Sequence, residues 1–269
     1  NLIVHGIKEK ALGKEHPHYA TSLNNIAINY SDLGDYNKSL EYFLIASEIY
    51  EKALGKEHPF YATSLNNIAV NYSDLGHYNN SLEYNLIALV IIEKSLGKEH
   101  PNYAMILNNI ASNYSDLRDY KKSLEYNLLA LKIREKAFGK EHPSYATGLI
   151  KIALSYSALG DYNKSLECNL IALEIKEKAS GKEHPSYALS LNNLAMNYSS
   201  LGDYNKALEY SLRASETQEK ALGKEHPDYA TSLNNVAFNY SSLGEHNKSL
   251  EHNLIALQIY EKALGKEHP

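Results

Sequence analysis

Proline is missing from this 269-residue chain except within one pentapeptide, Gly-Lys-Glu-His-Pro, whose copies carry all seven prolines. No other segment is interrupted by one. Cysteine occurs once, as Cys168, which excludes an intrachain disulfide framework and points to a reducing compartment. Long hydrophobic runs are also absent. None approaches the roughly 18 to 20 residues a membrane helix needs, and the N-terminus lacks the basic-then-apolar plan of a signal peptide. A soluble, cytoplasmic chain with no membrane partner is expected. Nor does either charge dominate: 27 basic residues face 32 acidic ones, for a formal charge of −5. That balance argues against a phosphate-binding surface over the whole molecule, and no nucleic-acid partner is expected.

What the chain does have is repetition. The pentapeptide begins at Gly13 and recurs every 42 residues, the last copy ending at Pro269. Cutting after each copy gives a 17-residue piece, 1–17, read as the second half of a truncated repeat. Six full copies follow: 18–59, 60–101, 102–143, 144–185, 186–227 and 228–269. A fixed period of this size marks a solenoid. In the first copy Tyr19, Leu23, Ile26, Ala27, Tyr30 and Leu33 recur at three- and four-residue steps, one apolar face of a helix. Tyr36, Leu40, Phe43, Leu44, Ser47 and Tyr50 form a second face, with Gly34 between them where a C-terminal cap belongs. Each copy therefore reads as two helices and a turn. The expected fold is all-α, a right-handed superhelical solenoid of helix-turn-helix repeats forming one domain.

The pentapeptide reads as a stop, a bend and a start. Gly55 suits the left-handed conformation that closes a helix, and Pro59 has the fixed φ of a first helical turn. Lys52 and Lys56 suit the negative pole of the helix that ends there. Alanine holds one position in every first helix (Ala27, Ala69, Ala111, Ala153, Ala195, Ala237) and one in every second (Ala46, Ala88, Ala130, Ala172, Ala214, Ala256). Such invariance predicts close helix contacts, with Tyr30 and its copies filling the space left beside them.

The pattern Leu23, Ala27, Tyr30, Gly34, Tyr36, Ser39, Phe43, Ala46 resembles the tetratricopeptide repeat signature. Ser39 stands where that family usually has alanine, which Ala207 restores in the fifth copy. The usual period is about 34 residues. The 42-residue length, the Leu-Asn-Asn first helix and the linker Gly-x-x-His-Pro look more like the kinesin light chain subclass. The resemblance covers essentially the whole chain. It implies a non-catalytic protein-protein interaction scaffold whose first helices line a concave surface. It further implies that the second asparagine of each pair contacts the backbone of a bound peptide: Asn25, Asn67, Asn109, Asn193 and Asn235. The other reading of these amides is that they tie neighbouring copies together.

One turn further along the same helices the copies disagree, carrying Ile28, Val70, Ser112, Leu154, Met196 and Phe238 beside invariant alanine and tyrosine. A core position would hold its volume, because even one methylene is felt in a close-packed interior. These six are therefore expected to be partly exposed, and an uneven apolar stripe suits a peptide laid along it. Drift at a half-buried position is the alternative. In family members that clamp an acidic C-terminus, lysine and arginine occupy the positions matching Thr21 and Asn25; here only Lys151 does. Asp32, Asp74 and Asp116 are expected on that wall instead, favouring a peptide of basic and apolar character. Ala158, Ser200 and Ser242 replace them in the last three copies.

Other features read as structural. The linker histidines, His16 to His268 at 42-residue steps, are expected to be solvated loop residues, because copies about 8 to 10 Å apart cannot share a metal. Nine Asn-x-Ser sequons occur, at Asn29, Asn71, Asn113, Asn197 and Asn239 in first helices and at Asn37, Asn79, Asn163 and Asn247 at turns. Without a secretion signal they carry little weight. Cys168 takes a slot held by Tyr42, Tyr84, Tyr126 and Tyr210, a packing substitution. Arg118 in place of the turn glycine and His246 in place of the turn tyrosine should carry only a local cost. No phosphate loop, dinucleotide fingerprint, serine elbow or metalloprotease helix is present, so neither enzyme activity nor a cofactor or metal is expected. Asn1 aligns with Phe43, and neither end carries a polar cap, so end-to-end self-association through the terminal copies is expected, with apolar surface near Leu250, Leu254 and Leu257. Two readings stand: a scaffold that binds a protein or peptide partner on its concave face, and a structural spacer or self-association module of a larger protein.

Overall fold

The computed structural model describes residues 13–264. Twelve α-helices and no strand occur among them: α1 (Pro17–Asp32), α2 (Tyr36–Leu54), α3 (Pro59–Asp74), α4 (Tyr78–Leu96), α5 (Pro101–Asp116), α6 (Tyr120–Phe138), α7 (Pro143–Ala158), α8 (Tyr162–Ser180), α9 (Pro185–Ser200), α10 (Tyr204–Leu222), α11 (Pro227–Ser242) and α12 (His246–Leu264). First helices of 16 residues alternate with second helices of 19.

Each residue of the pentapeptide has a mechanical task. Gly55 has φ +86°, the region where only glycine is unstrained, and its N–H bonds the Glu51 carbonyl at 2.9 Å. Lys56 reaches back to Glu51 at 3.2 Å. Glu57 reaches forward to Lys94, also at 3.2 Å, and Glu99 pairs with Lys136 in the same way. These pairs are exposed, so each contributes well under about 1 kcal/mol. His58 then caps α3: its Nδ1 accepts the Phe60 N–H at 3.1 Å, ahead of Pro59 at the first helical position. The same cap opens α1, α5, α7, α9 and α11. Six of the seven histidines expected to be solvated loop residues, those from His16 to His226, are thus helix caps, satisfying an amide that the first turn would otherwise leave without a partner, while His268 lies outside the described residues.

Chain contacts divide the protein into two compact units, Asn1–Ala137 and Phe138–Pro269. In the first unit α1 packs on α2 and α3 on α4, while α2 and α4 also contact the first helix that follows each. A shared core joins these helices through Ala27, Phe43, Leu65, Ile68, Ala88, Ile92 and Ile110. In the second unit α7 packs on α8, α9 on α10 and α11 on α12, with α8 on α9 and α10 on α11. Tyr187, Ala188, Leu191 and Ala214 form one cluster there, and Ala230, Leu233, Ala256 and Ile259 another. The fold is an all-α solenoid of stacked helical hairpins, in which each hairpin completes its core with its neighbours.

All twelve repeated alanines are at most 2% exposed, as their invariance predicts. The repeated tyrosine does not fill in behind alanine alone. It stacks on the tyrosine of the following helix, with ring centroids 5.5 Å apart for Tyr30 and Tyr42 and for Tyr72 and Tyr84. Cys168 interrupts this series opposite Tyr156. Leu33 departs from the expected face: it is 80% exposed, about twice the 38% of Leu117 at the same cap position. At the turn after α5, Arg118 is held at φ +62° where other copies have glycine. The backbone conformation there is kept at a cost of roughly 1 to 2 kcal/mol.

Candidate ligand-binding face on the first helices

Residues three and seven apart on a helix share one side. In α3 that spacing aligns Asn67, Val70 and Asp74, and the other first helices repeat it: Asn25, Ile28 and Asp32; Asn109, Ser112 and Asp116; Lys151, Leu154 and Ala158; Asn193, Met196 and Ser200; Asn235, Phe238 and Ser242. The variable position is exposed throughout. Ile28 and Val70 show 44% and 43% of their surface, Leu154 54%, Met196 59% and Phe238 61%, and Ser112 is exposed as well. Asn25 is exposed, whereas Asn67, Asn109, Lys151, Asn193 and Asn235 are half-buried. The stripe is therefore a solvent-facing row, with the asparagines along its buried margin.

The asparagine-rich sequence splits between surface and joints. Asn109 Nδ2 donates to Asn66 Oδ1 at 2.7 Å, tying α5 to α3. The first asparagine of the pair is buried in the interior copies, where Asn108 donates to Asn127 Oδ1 at 2.8 Å and Asn192 to Ser232 Oγ at 3.1 Å. A third asparagine, four residues after the second, matters most and was read only as a sequon. Asn113 accepts from Asn85 Nδ2 at 2.9 Å and donates to Ser81 Oγ at 2.8 Å. Asn197 does the same with Asn169 and Ser165, at 2.6 and 2.7 Å. The recurrence of this asparagine at a fixed place was its one visible signal, and its partners 28 and 32 residues away lie beyond any helical period.

In the second unit an open cleft of about 210 Å³ lies between α9 and α11. Met196 and Phe238 stand at it with Asn235, so three of the residues expected to bind a ligand are brought together. Ser199, Asn192 and Asn239 complete much of the remaining wall, and no charged side chain lines it. The first unit differs in charge. Asp74 and Asp116 are exposed there, and partial desolvation raises their carboxyl groups above the ordinary aspartate value.

Burial pushes the Cys168 thiol up to about 11, which leaves almost no thiolate near neutral pH. Among the described residues no group of three or more histidine, cysteine or carboxylate side chains could hold a metal. No helix among the described residues is long and apolar enough to cross a membrane. A second apolar surface escaped the sequence reading: Leu86, Ile87, Leu128 and Leu129 on α4 and α6, and Leu170 and Ile171 on α8, are each about two-fifths exposed. Leu250, Leu254 and Leu257 on α12 are 50 to 59% exposed.

The tetratricopeptide repeat profile matches residues 18–86, 78–136, 104–170, 144–220 and 198–262. No curated protein matches the chain in sequence. Among solved structures, a Podosopora anserina kinesin light chain protein of nearly identical TPR-like repeats is 26% identical, with a TM-score of 0.65 over 77% of this chain and 99% of that one. BtubC from P. vanneervenii is 21% identical, with a TM-score of 0.67 over 88% and 92%. A Rap protein complexed with competence and sporulation factor is 16% identical, with a TM-score of 0.61 over 94% and 82%. The last two likenesses concern the fold alone. With matches extending from residue 18 to residue 262, the chain belongs to the tetratricopeptide repeat family.

Proposed function

We propose that the chain is a non-catalytic scaffold that binds a peptide segment of a partner protein along the exposed face of its first helices, the concave face of the solenoid. One observation carries this reading: a position in those helices that changes size from copy to copy, from Ser112 to Phe238, is exposed to solvent in all six copies. Invariant, buried alanine lies next to it, so the variation has no packing role. A row of unlike apolar side chains spaced by repeats reads successive residues of an extended or helical ligand. Asp32, Asp74 and Asp116 favour a ligand with basic as well as apolar residues over the first unit. A fold likeness places the Rap protein, seen with competence and sporulation factor, in support without deciding the ligand here. The single cysteine fits work in the cytoplasm.

The test is selection of peptides by display against the whole chain, followed by fluorescence anisotropy with the best binder. Val70→Arg and Ser112→Arg should each weaken binding about tenfold or more while leaving the helical signal intact. Unchanged affinity in both would remove the assignment of this face. A second reading is a spacer or self-association module. The exposed aliphatic residues of α4, α6 and α8 favour it, and concentration-dependent sedimentation abolished by Ile87→Lys would support it.

A further inference from the structure

Every first helix opens on the same histidine in the same conformation. His16, His58, His100, His142, His184 and His226 hold φ between −73° and −82° and ψ between 135° and 140°. The Nδ1 of each accepts the backbone N–H two residues on, at 3.1 Å in all six. An acceptor at Nδ1 requires the neutral ring with its proton on Nε2, because an imidazolium carries a proton on both nitrogens. Serine, threonine, asparagine or aspartate would cap without that condition. Protonation therefore acts twice: it turns each acceptor into a donor facing another donor, and it sets a positive charge at the positive pole of the helix.

Little around the rings offsets that charge. Beside His58, Lys56 pairs with Glu51 of α2 and Glu57 with Lys94 of α4. Beside His100, Lys98 pairs with Glu93 and Glu99 with Lys136. His142 stacks on Phe138 with ring centroids 4.8 Å apart, and Glu141 faces Lys178 at 3.7 Å. Beside His184, Lys182 pairs with Glu177. Glu15 and Glu183, next to His16 and His184, are exposed, so solvent screens them. His16 stacks at 5.1 Å on His18, a second ring that can take up a proton. His226 is the exception, because Asp228 Oδ2 lies 3.9 Å from its Nδ1 and can pair with the imidazolium.

The capped turn leads straight into the core. The residue four beyond each of these histidines is an alanine at 0% exposure, from Ala20 to Ala230, and the Ala62 N–H bonds the His58 carbonyl at 3.2 Å. One cap changes the opening of one turn only a few-fold, but each unit has three, and hairpins that complete their core with their neighbours respond together. We propose that the six histidines make the stack acid-sensitive: proton uptake by the rings releases the first turns and loosens the hairpins, and return to neutral pH restores them. The device does not depend on whether the first helices bind a peptide. Its contribution is complete where the rings are neutral and is lost as pH falls from about 7.5 to about 5.5, the interval in which histidine ordinarily charges.

Two measurements on the whole chain test it. In the first, the helical signal is melted at pH 7.5 and 5.5 at one ionic strength, for the parent and for a variant carrying His16→Asn, His58→Asn and His100→Asn, which keeps a capping side chain that does not titrate. The melting temperature of the parent should fall by about 5 °C or more beyond that of the variant. Equal falls would overturn the proposal. Should the variant not fold, hydrogen exchange on the unaltered chain decides alone. After correction for the intrinsic effect of pH, the amides of Phe60, Asn102 and Ser144 should lose about fivefold in protection between pH 7.5 and 5.5, and that of Asp228 less than about twofold. Unchanged protection at Phe60 and Asn102, or ring-nitrogen signals that put the proton on Nδ1 at pH 7.5, would overturn it as well.

Discussion

The contact of α2 with α3 and that of α4 with α5 occupy the same places in successive copies, yet in one the facing amides bond each other and in the other they do not. Between α4 and α5, Asn85, Asn113 and Ser81 bond one another at the centre of the joint. Between α2 and α3 the first of these positions is Phe43, 4% exposed, and its ring leaves Asn71 and Ser39 with no partner. Asn71 is 1% exposed and neither atom of its amide is bonded. Each such group costs roughly 1 to 3 kcal/mol, against about 1.5 to 3 kcal/mol gained by burying the ring. The two joints show that the third asparagine is an asset only where its partner copy also carries one.

The sharpest test reverses the sign of one substitution. Asn113→Ala should destabilise the first unit by about 2 to 4 kcal/mol in urea unfolding, because Asn85 and Ser81 lose their partners and a void remains. Asn71→Leu, at the equivalent place, should stabilise by about 1 kcal/mol or more. In the Phe43→Asn background, Asn71→Leu should become destabilising instead; additive behaviour in that double-mutant cycle would refute the account. Next in size are the two turns of the first unit that depart from the common pattern. Arg118→Gly should add about 1 kcal/mol by relieving φ +62°. His77 caps α4 without the side-chain bond that Asp35 gives α2, so His77→Asp should add about 1 kcal/mol, read as a rise in melting temperature.

The smallest effect depends on pH. Because desolvation raises Asp74 and Asp116 in the folded chain, protonation favours folding. Stability from this source is complete below the unfolded value of about 3.9 and is lost as pH rises through the higher folded value. Asp74→Asn, neutral at every pH, should therefore be the more stable protein at neutral pH. Its advantage over the parent should vanish on acidification, as unfolding at both pH values would show.

Much of this was legible because it is local. Gly55 and Pro59 mark where a helix must stop and start, and the alternation of Leu23, Ile26, Ala27 and Tyr30 marks a buried face, since both depend on neighbours within a turn or two. The exposure of Val70 and Phe238 followed from their disagreement in size. The His58 cap lay in plain view before a helix-starting proline, but histidine is not among the residues preferred there. The role of Asn113 was hidden for a different reason: its partners come from the preceding copy, and only packing joins them. Leu86, the copy of Leu44, is more exposed than its place on the second-helix face suggests, because an apolar residue at helical spacing looks the same whether or not anything covers it.

The joint between α4 and α5 also bears on glycan attachment. Asn113 opens an Asn-Tyr-Ser acceptor triplet, and Asn71, Asn197 and Asn239 open three more, all at most 3% exposed. A sugar transferred to any of them in the extended chain would have to be housed between hairpins, so it would hold the stack open. Asn37, Asn79 and Asn163, exposed at the turns, would accept the same sugar without disturbing it. Passage through a glycosylating compartment would thus decorate the turns harmlessly and wreck the joints, so mass mapping of modified sites would double as a folding assay.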